Sequence, residues 1–191
     1  DRYRLVVPNR AVAIQFFEYY LQYVLSVSEA SGRYSAMDLT RAYRALEKGD
    51  PEPLFRLASA RFADGSDVMT AVHLSESDFQ TLIAATLYFD NDVEVVREAQ
   101  ALGAKGGRID LLIRPTAGSP VKHTFLVELK YLSKAEGKTE SAVKEAKEKA
   151  LSQLRRYARC SNIRGISNLK CVAAVFVGTQ LAEFVTEDVA G

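Results

Sequence analysis

Apolar positions recur at helical spacing through the first third of the chain, then give way to short runs that alternate with polar residues or are apolar throughout. After Pro8-Asn9, "AVAIQFFEYYLQYVL" sets Val12, Phe16, Tyr19 and Tyr23 on one face of a predicted helix. "SAMDLTRAYRALEKGD" predicts a second helix stopped at Gly49, and "PEPLFRLASARFADG" a third, opened by Pro51 and closed by Gly65. From residue 74 the text changes. "LSESDFQTLIAATLYF" begins with Ser75 as N-cap and Asp78 three positions on, while Leu74 and Phe79 are spaced for a hydrophobic staple. Phe79, Leu82, Ile83, Thr86 and Leu87 then form its apolar face. Three strands are expected next, in "DVEVVREAQAL", "GRIDLLIRP" and "HTFLVELKYL", the last two joined as an antiparallel hairpin by "TAGSPVK". An amphipathic helix over 139–159 turns Val143, Ala146, Ala150, Leu151, Leu154 and Tyr157 inward. "KCVAAVFVGT", apolar without interruption, is the pattern of a strand covered on both faces.

This order defines an α+β chain in two parts. Residues 1–70 form a helical N-terminal segment with no cluster of chemically active side chains. Residues 71–191 carry an αβββαβ core, a mixed sheet flanked by helices. A length of 191 residues suffices for one buried core plus an appendage or for two small domains.

Composition narrows the function classes. With 48% hydrophobic and 26% charged residues the chain is of soluble globular type, and a net charge of +1 argues against a strongly basic nucleic-acid binder. Any contact with nucleic acid then rests on a local cluster such as Arg155, Arg156, Arg159, Arg164 and Lys170. Two cysteines, Cys160 and Cys171, are too few for a disulfide framework or a cysteine-rich zinc site. They point to an intracellular setting, cytoplasmic or nucleoid/nuclear. No apolar run reaches the roughly 18 residues of a membrane helix, and no signal peptide is visible, so no membrane partner is expected. A start at Asp1, in mid-pattern, is what a piece of a larger multidomain chain would show. "GAKGGR" at 103–108 lacks phosphate-loop spacing and precedes a strand, so it reads as a turn. His73 and His123 are isolated and read as structural.

The unusual feature is charge inside apolar strands. Glu128 and Lys130 share one strand face, with Val127 and Leu129 on the other. In the preceding strand Ile109, Leu111 and Ile113 share a face, leaving Asp110 opposite with Arg108. If the strands pair, Asp110 and Glu128 converge at one edge of the sheet. Two close carboxylates repel, and a Mg²⁺ ion, which takes carboxylate oxygens, waters and substrate phosphate, resolves that repulsion. Lys130 could then orient or deprotonate a water beside the metal, a set suited to phosphodiester hydrolysis. Glu-x-Lys occurs three times here; the copies at Glu136 and Glu145 fall in or beside a charged helix face and read as solvated charge. A structural ion pair at an edge strand is the alternative for Glu128 and Lys130.

"GRIDLLIR … TFLVELKYL" resembles the PD-(D/E)XK nuclease superfamily, whose signature places an aspartate on one strand and E-x-K on the next. "SESDFQTLI", "GGRIDLLI", "FLVELKY" and "ALSQLRRYA" together are similar to the branch at the C-terminus of AAA-ATPase-like proteins, and "LVVPNRAVAIQFF" to the segment preceding it. The resemblance is strongest over 74–178. It implies a restriction-endonuclease-like fold, and Mg²⁺ or Mn²⁺ held by Asp110, Glu128 and the backbone carbonyl of Leu129, with Lys130 catalytic. It implies Glu76 as an acidic residue supporting the metal, a position that helix-dipole stabilisation would equally explain. Gln153 and Tyr157 match a Q-x-x-x-Y feature beside such sites, although Tyr157 also suits the core. Glu98 is a weaker candidate, read as structural. The motif's proline is replaced by Ile109. The implied function is metal-dependent hydrolysis of nucleic acid, with DNA the expected substrate, by a metal-activated water. The alternative is a catalytically inactive nuclease-fold module that binds a protein partner or inhibitor, or serves a neighbouring domain.

Overall fold

The computed structural model describes residues 36–64, 75–87, 92–103 and 107–189. The expected first helix, the residues Leu74 and Gly65, and His73 lie outside them. By compactness the chain divides into two units, Asp1–Arg41 and Ala42–Gly191. Four α-helices are described: α1 (Ala36–Glu47), α2 (Glu52–Asp64), α3 (Glu76–Leu87) and α4 (Glu140–Ala158). Five strands are described: β1 (Val93–Ala101), β2 (Gly107–Pro115), β3 (Thr124–Leu132), β4 (Leu169–Val177) and β5 (Gln180–Asp188). Gly49 ends α1 with φ +82°, a left-handed value that glycine adopts without penalty, and the Asp50 N–H closes back on the Ala45 carbonyl at 2.9 Å. Among the described residues no helix is long and apolar enough to cross a membrane.

The strands form one sheet in the order β1-β2-β3-β4-β5. β1, β2 and β3 run antiparallel in turn, β3 and β4 are parallel, and β5 returns antiparallel to β4. A parallel β3–β4 pair needs a crossover, and α4 supplies it. Helices cover both faces of the sheet. On one, Leu151, Leu154 and Tyr157 of α4 pack with Leu112, Leu126 and Cys171 in a continuous buried cluster. On the other, Phe79 of α3 stacks on Phe176 at 4.0 Å and lies 6.0 Å from Tyr131. Burial on both sides explains the unbroken apolar run in β4, which is buried from Cys171 to Phe176.

β5 was not expected. It is an edge strand with both faces half exposed, so its residues carry neither a continuous apolar run nor strong alternation. α2, placed by sequence in the N-terminal helical segment, lies against it. Phe55 packs on Phe184 with ring centroids 5.2 Å apart, while the Ser59 hydroxyl donates to the Thr179 carbonyl and accepts from the Leu181 N–H.

Candidate active site

β3 is the central strand of the sheet, and its two edges differ. Toward β4 it makes nine consecutive parallel pairs, Thr124↔Leu169 through Leu132↔Val177. Toward β2 the antiparallel register covers only Ile113↔Phe125, Leu112↔Leu126 and Leu111↔Val127. The next position on β2 is Asp110. There the strands part, and the Asp110 carboxylate replaces a main-chain partner: its Oδ2 accepts the Leu129 N–H at 2.7 Å. The convergence expected at a sheet edge is therefore at a fork inside the sheet.

The fork coincides with a gap in the pairing on the other side of β2, where the register itself is kept. Arg97↔Leu111 and Ala99↔Ile109 are paired, but Glu98, between them, has φ +52° and no partner opposite Asp110. A non-glycine residue in that region is uncommon and turns the strand locally. Side chains three apart on a regular strand face opposite ways. Yet Ile109 and Leu112 belong to the same buried cluster, and Val96 and Ala99 both pack against it. The expectation that Ile109, Leu111 and Ile113 share one face fails here, because the alternation shifts by one residue at Asp110. Asp110 is thus the residue at which β2 loses its ladder partners on both sides.

Glu128 and Lys130 stand two apart on β3. Glu128 is 2% exposed. Lys130 Nζ donates to Glu128 Oε1 at 3.0 Å and to the Leu129 carbonyl at 2.9 Å, and lies 3.5 Å from Glu76 Oε2 on α3. α3 brings a second residue that sequence did not single out. Gln80, one turn after Glu76 and 4% exposed, donates from Nε2 to Asp110 Oδ1 at 2.9 Å. The i, i+4 spacing was the available signal, since a helix that aims Glu76 at the strands aims Gln80 as well.

Gln153 is half-buried on α4 and, among the described residues, forms no hydrogen bond with Asp110, Glu128 or Lys130. Tyr157 is a core residue. A Cβ on Gly107, three residues before Asp110, would sit 2.9 Å from its hydroxyl, so glycine there lets α4 approach the start of β2. Glu98 is exposed and faces Arg108 at 3.5 Å; its field reaches Asp110 weakly.

Burial raises Asp110 to about 6; the Leu129 N–H and the Lys130 charge oppose this, while Glu76 and Glu98 add to it. Burial and then the Asp110 charge raise Glu128 to about 7 against the pull of Lys130. For Lys130, burial acts downward, but the Glu128, Glu76 and Asp110 carboxylates together outweigh it and hold the ammonium above its ordinary value. One ammonium thus serves a group of three acids. Glu128 Oε2, Glu76 Oε2 and the Gln80 amide oxygen are buried with no hydrogen-bond donor. Among the described residues no three His, Cys, Asp or Glu side chains already form a cage for an ion. A Mg²⁺-type site asks for less, one or two carboxylates with waters. Acceptor oxygens without donors, beside two carboxylates whose charge is under-compensated, fit a hard cation.

A mixed sheet, a helical crossover, and an aspartate on one strand facing Glu-x-Lys on the next define a restriction-endonuclease-like domain of the α+β class. A model of the PD-(D/E)XK nuclease superfamily matches residues 74–183, and the chain belongs to that superfamily. No curated protein matches the sequence.

Proposed function

We propose that this protein is a divalent-metal-dependent nuclease that hydrolyses phosphodiester bonds of nucleic acid, DNA in the first instance. The observation that carries the reading is the fork in β2–β3. A ladder that could have continued gives way to a half-buried aspartate, a buried glutamate and a lysine at hydrogen-bonding distance. Ionised groups in a sheet interior cost several kcal/mol unless compensated, so a fold keeps them when a ligand uses them.

In this reading Asp110 and Glu128 hold Mg²⁺ or Mn²⁺, with the Leu129 carbonyl as a backbone ligand and Glu76 supporting from α3. A bound divalent ion would supply Lewis acidity toward the phosphodiester and a water acidic enough to attack it. Gln80 and the Leu129 N–H fix the two Asp110 oxygens, so that carboxylate does not rotate away. Lys130 presents ammonium protons that orient a water or stabilise charge growing on the phosphoryl oxygens. Gln153, four residues from Tyr157 on the sheet-packed helix, is assigned to substrate contact beside the site.

The likeness of the motifs to the domain at the C-terminus of AAA-ATPase-like proteins supports a role as one module of a larger intracellular machine. The direct test is cleavage of labelled single- and double-stranded DNA and RNA with Mg²⁺ or Mn²⁺, which EDTA should stop. If no substrate is cut with either ion, the inactive protein-binding module takes over.

A further inference from the structure

Arg155, Arg156, Arg159 and Arg164 lie at the end of α4 and beyond it, Lys170 stands on β4, and the structure sorts these cations. Arg155 is held by Glu187, with hydrogen bonds of 2.7 and 3.2 Å, and Lys170 by Asp188 at 2.7 Å. Arg156, Arg159 and Arg164 are exposed and, among the described residues, have no carboxylate partner. Arg156 lies over the Tyr157 ring, 4.9 Å from its centroid. Two open clefts meet at Arg155 and Arg159. One, of about 550 Å³, extends to Arg164 and Val189; the other, of about 570 Å³, extends to Arg156, Ser152, Ser161 and the β1–β2 turn at Leu102.

A helix end attracts cations through its dipole, but that effect fades within the last turn. It accounts for Arg155 and Arg156 and not for Arg164, six residues past the end of α4. Arg164 is nonetheless firmly presented: its N–H bonds the Cys160 carbonyl at 2.9 Å, and its neighbour Ile163 is 1% exposed. We propose that Arg156, Arg159 and Arg164 form a landing surface for a nucleic-acid backbone, separate from the carboxylate cluster; this rests on the nuclease reading above. Guanidinium groups pair with phosphate in a bidentate manner without reading sequence. Among the described residues the surface lacks the apolar centre of a protein interface, and Leu102 at its rim is the large exposed apolar side chain there. α4 also ties the surface to the chemistry. Its Leu154 and Tyr157 share a buried cluster with Ile109, beside Asp110, and with Leu126, two residues from Glu128. Glu148 lines the Arg156 cleft with no ion-pair partner among the described residues, whereas Glu187 and Asp188, which line the Arg164 cleft, are met by Arg155 and Lys170, so the backbone path favours the Arg159–Arg164 side.

The test is fluorescence anisotropy of a short labelled DNA duplex with the whole chain, in EDTA so that nothing is cut, across a salt series. Removing two phosphate contacts in Arg159→Ala/Arg164→Ala should lower the slope of log affinity against log salt by about 1.8, at roughly 0.9 per contact. Arg159→Glu/Arg164→Glu should lose at least about tenfold in affinity, with Mn²⁺ binding unchanged. Lys149→Ala, which removes an α4 cation already paired with Glu145, should leave the slope as it is. Wild-type binding with an identical slope in the double alanine variant would overturn the landing surface and leave the nuclease reading standing. Failure of the wild type to bind duplex, single-stranded DNA or RNA would overturn both and redirect the arginines to an acidic protein.

Discussion

The two edges of β3 are built from one strand and do opposite things. Toward β4 the backbone pairs without a break, and the side chains between are Val172, Ala173, Ala174 and Val175, all buried and apolar. Toward β2 the pairing ends after three residues, and the groups in the gap are Asp110, Glu128 and Lys130. A continuous ladder satisfies its own donors and acceptors and leaves nothing for a ligand. An interrupted one leaves a main-chain N–H that must be met by a side chain, and here Asp110 meets it. The regular edge supplies rigidity, and the irregular edge spends some of it on holding charge.

This contrast predicts different failures on the two sides. Asp110→Ala and Lys130→Ala should each reduce cleavage by roughly a thousandfold or more, while circular dichroism and cooperative melting show the fold retained. An equal loss of folding would assign those residues to the scaffold. Leu126→Ala, in the buried cluster that α4 covers, should do the converse. It should cost about 2–5 kcal/mol in denaturant unfolding and leave Mn²⁺ affinity of the folded protein unchanged.

The charged edge should also be visible in pH. Asp110 and Glu128 hold their protons to about 6 and about 7 when folded, above the ordinary carboxylate values. Between pH 4 and 7 the unfolded chain therefore binds fewer protons than the folded one, and stability falls as pH rises through that window. In metal-free protein the decline should be measurable in denaturant unfolding across that window, and Glu128→Gln should flatten much of it. Melting temperatures that rise over the same range would break the contrast. Gln80→Leu is the mildest change. It removes the donor to Asp110 Oδ1 and should weaken Mn²⁺ binding about tenfold, with Gln80→Asn intermediate.

The sequence announced the regular parts best. α4 begins and ends within a residue of its expected bounds, and β4 is the both-faces-covered strand that its apolar run implies. Asp110 and the Glu128–Lys130 pair were visible because charge is rare inside an apolar strand. What stayed hidden depends on the backbone. Glu98 adopts φ +52° with no glycine to advertise it, so the shift in alternation that places Ile109 with Leu112 had no sequence mark. Gln80 was hidden because its helix shows a modest apolar face in which a glutamine reads as solvent-exposed. β5 was hidden because an edge strand half exposed on both faces has no strong pattern.

The central claim is that a divalent ion docks where β2 and β3 part. Titration of Mn²⁺ into the metal-free protein, followed by loss of the free-ion electron paramagnetic resonance signal, addresses it without any substrate. Saturable binding that disappears in Asp110→Asn and Glu128→Gln, and that strengthens as pH rises from 6 to 8, is the result this account predicts. A free-ion signal that grows in proportion to added Mn²⁺, equal in wild type and variants, would contradict it.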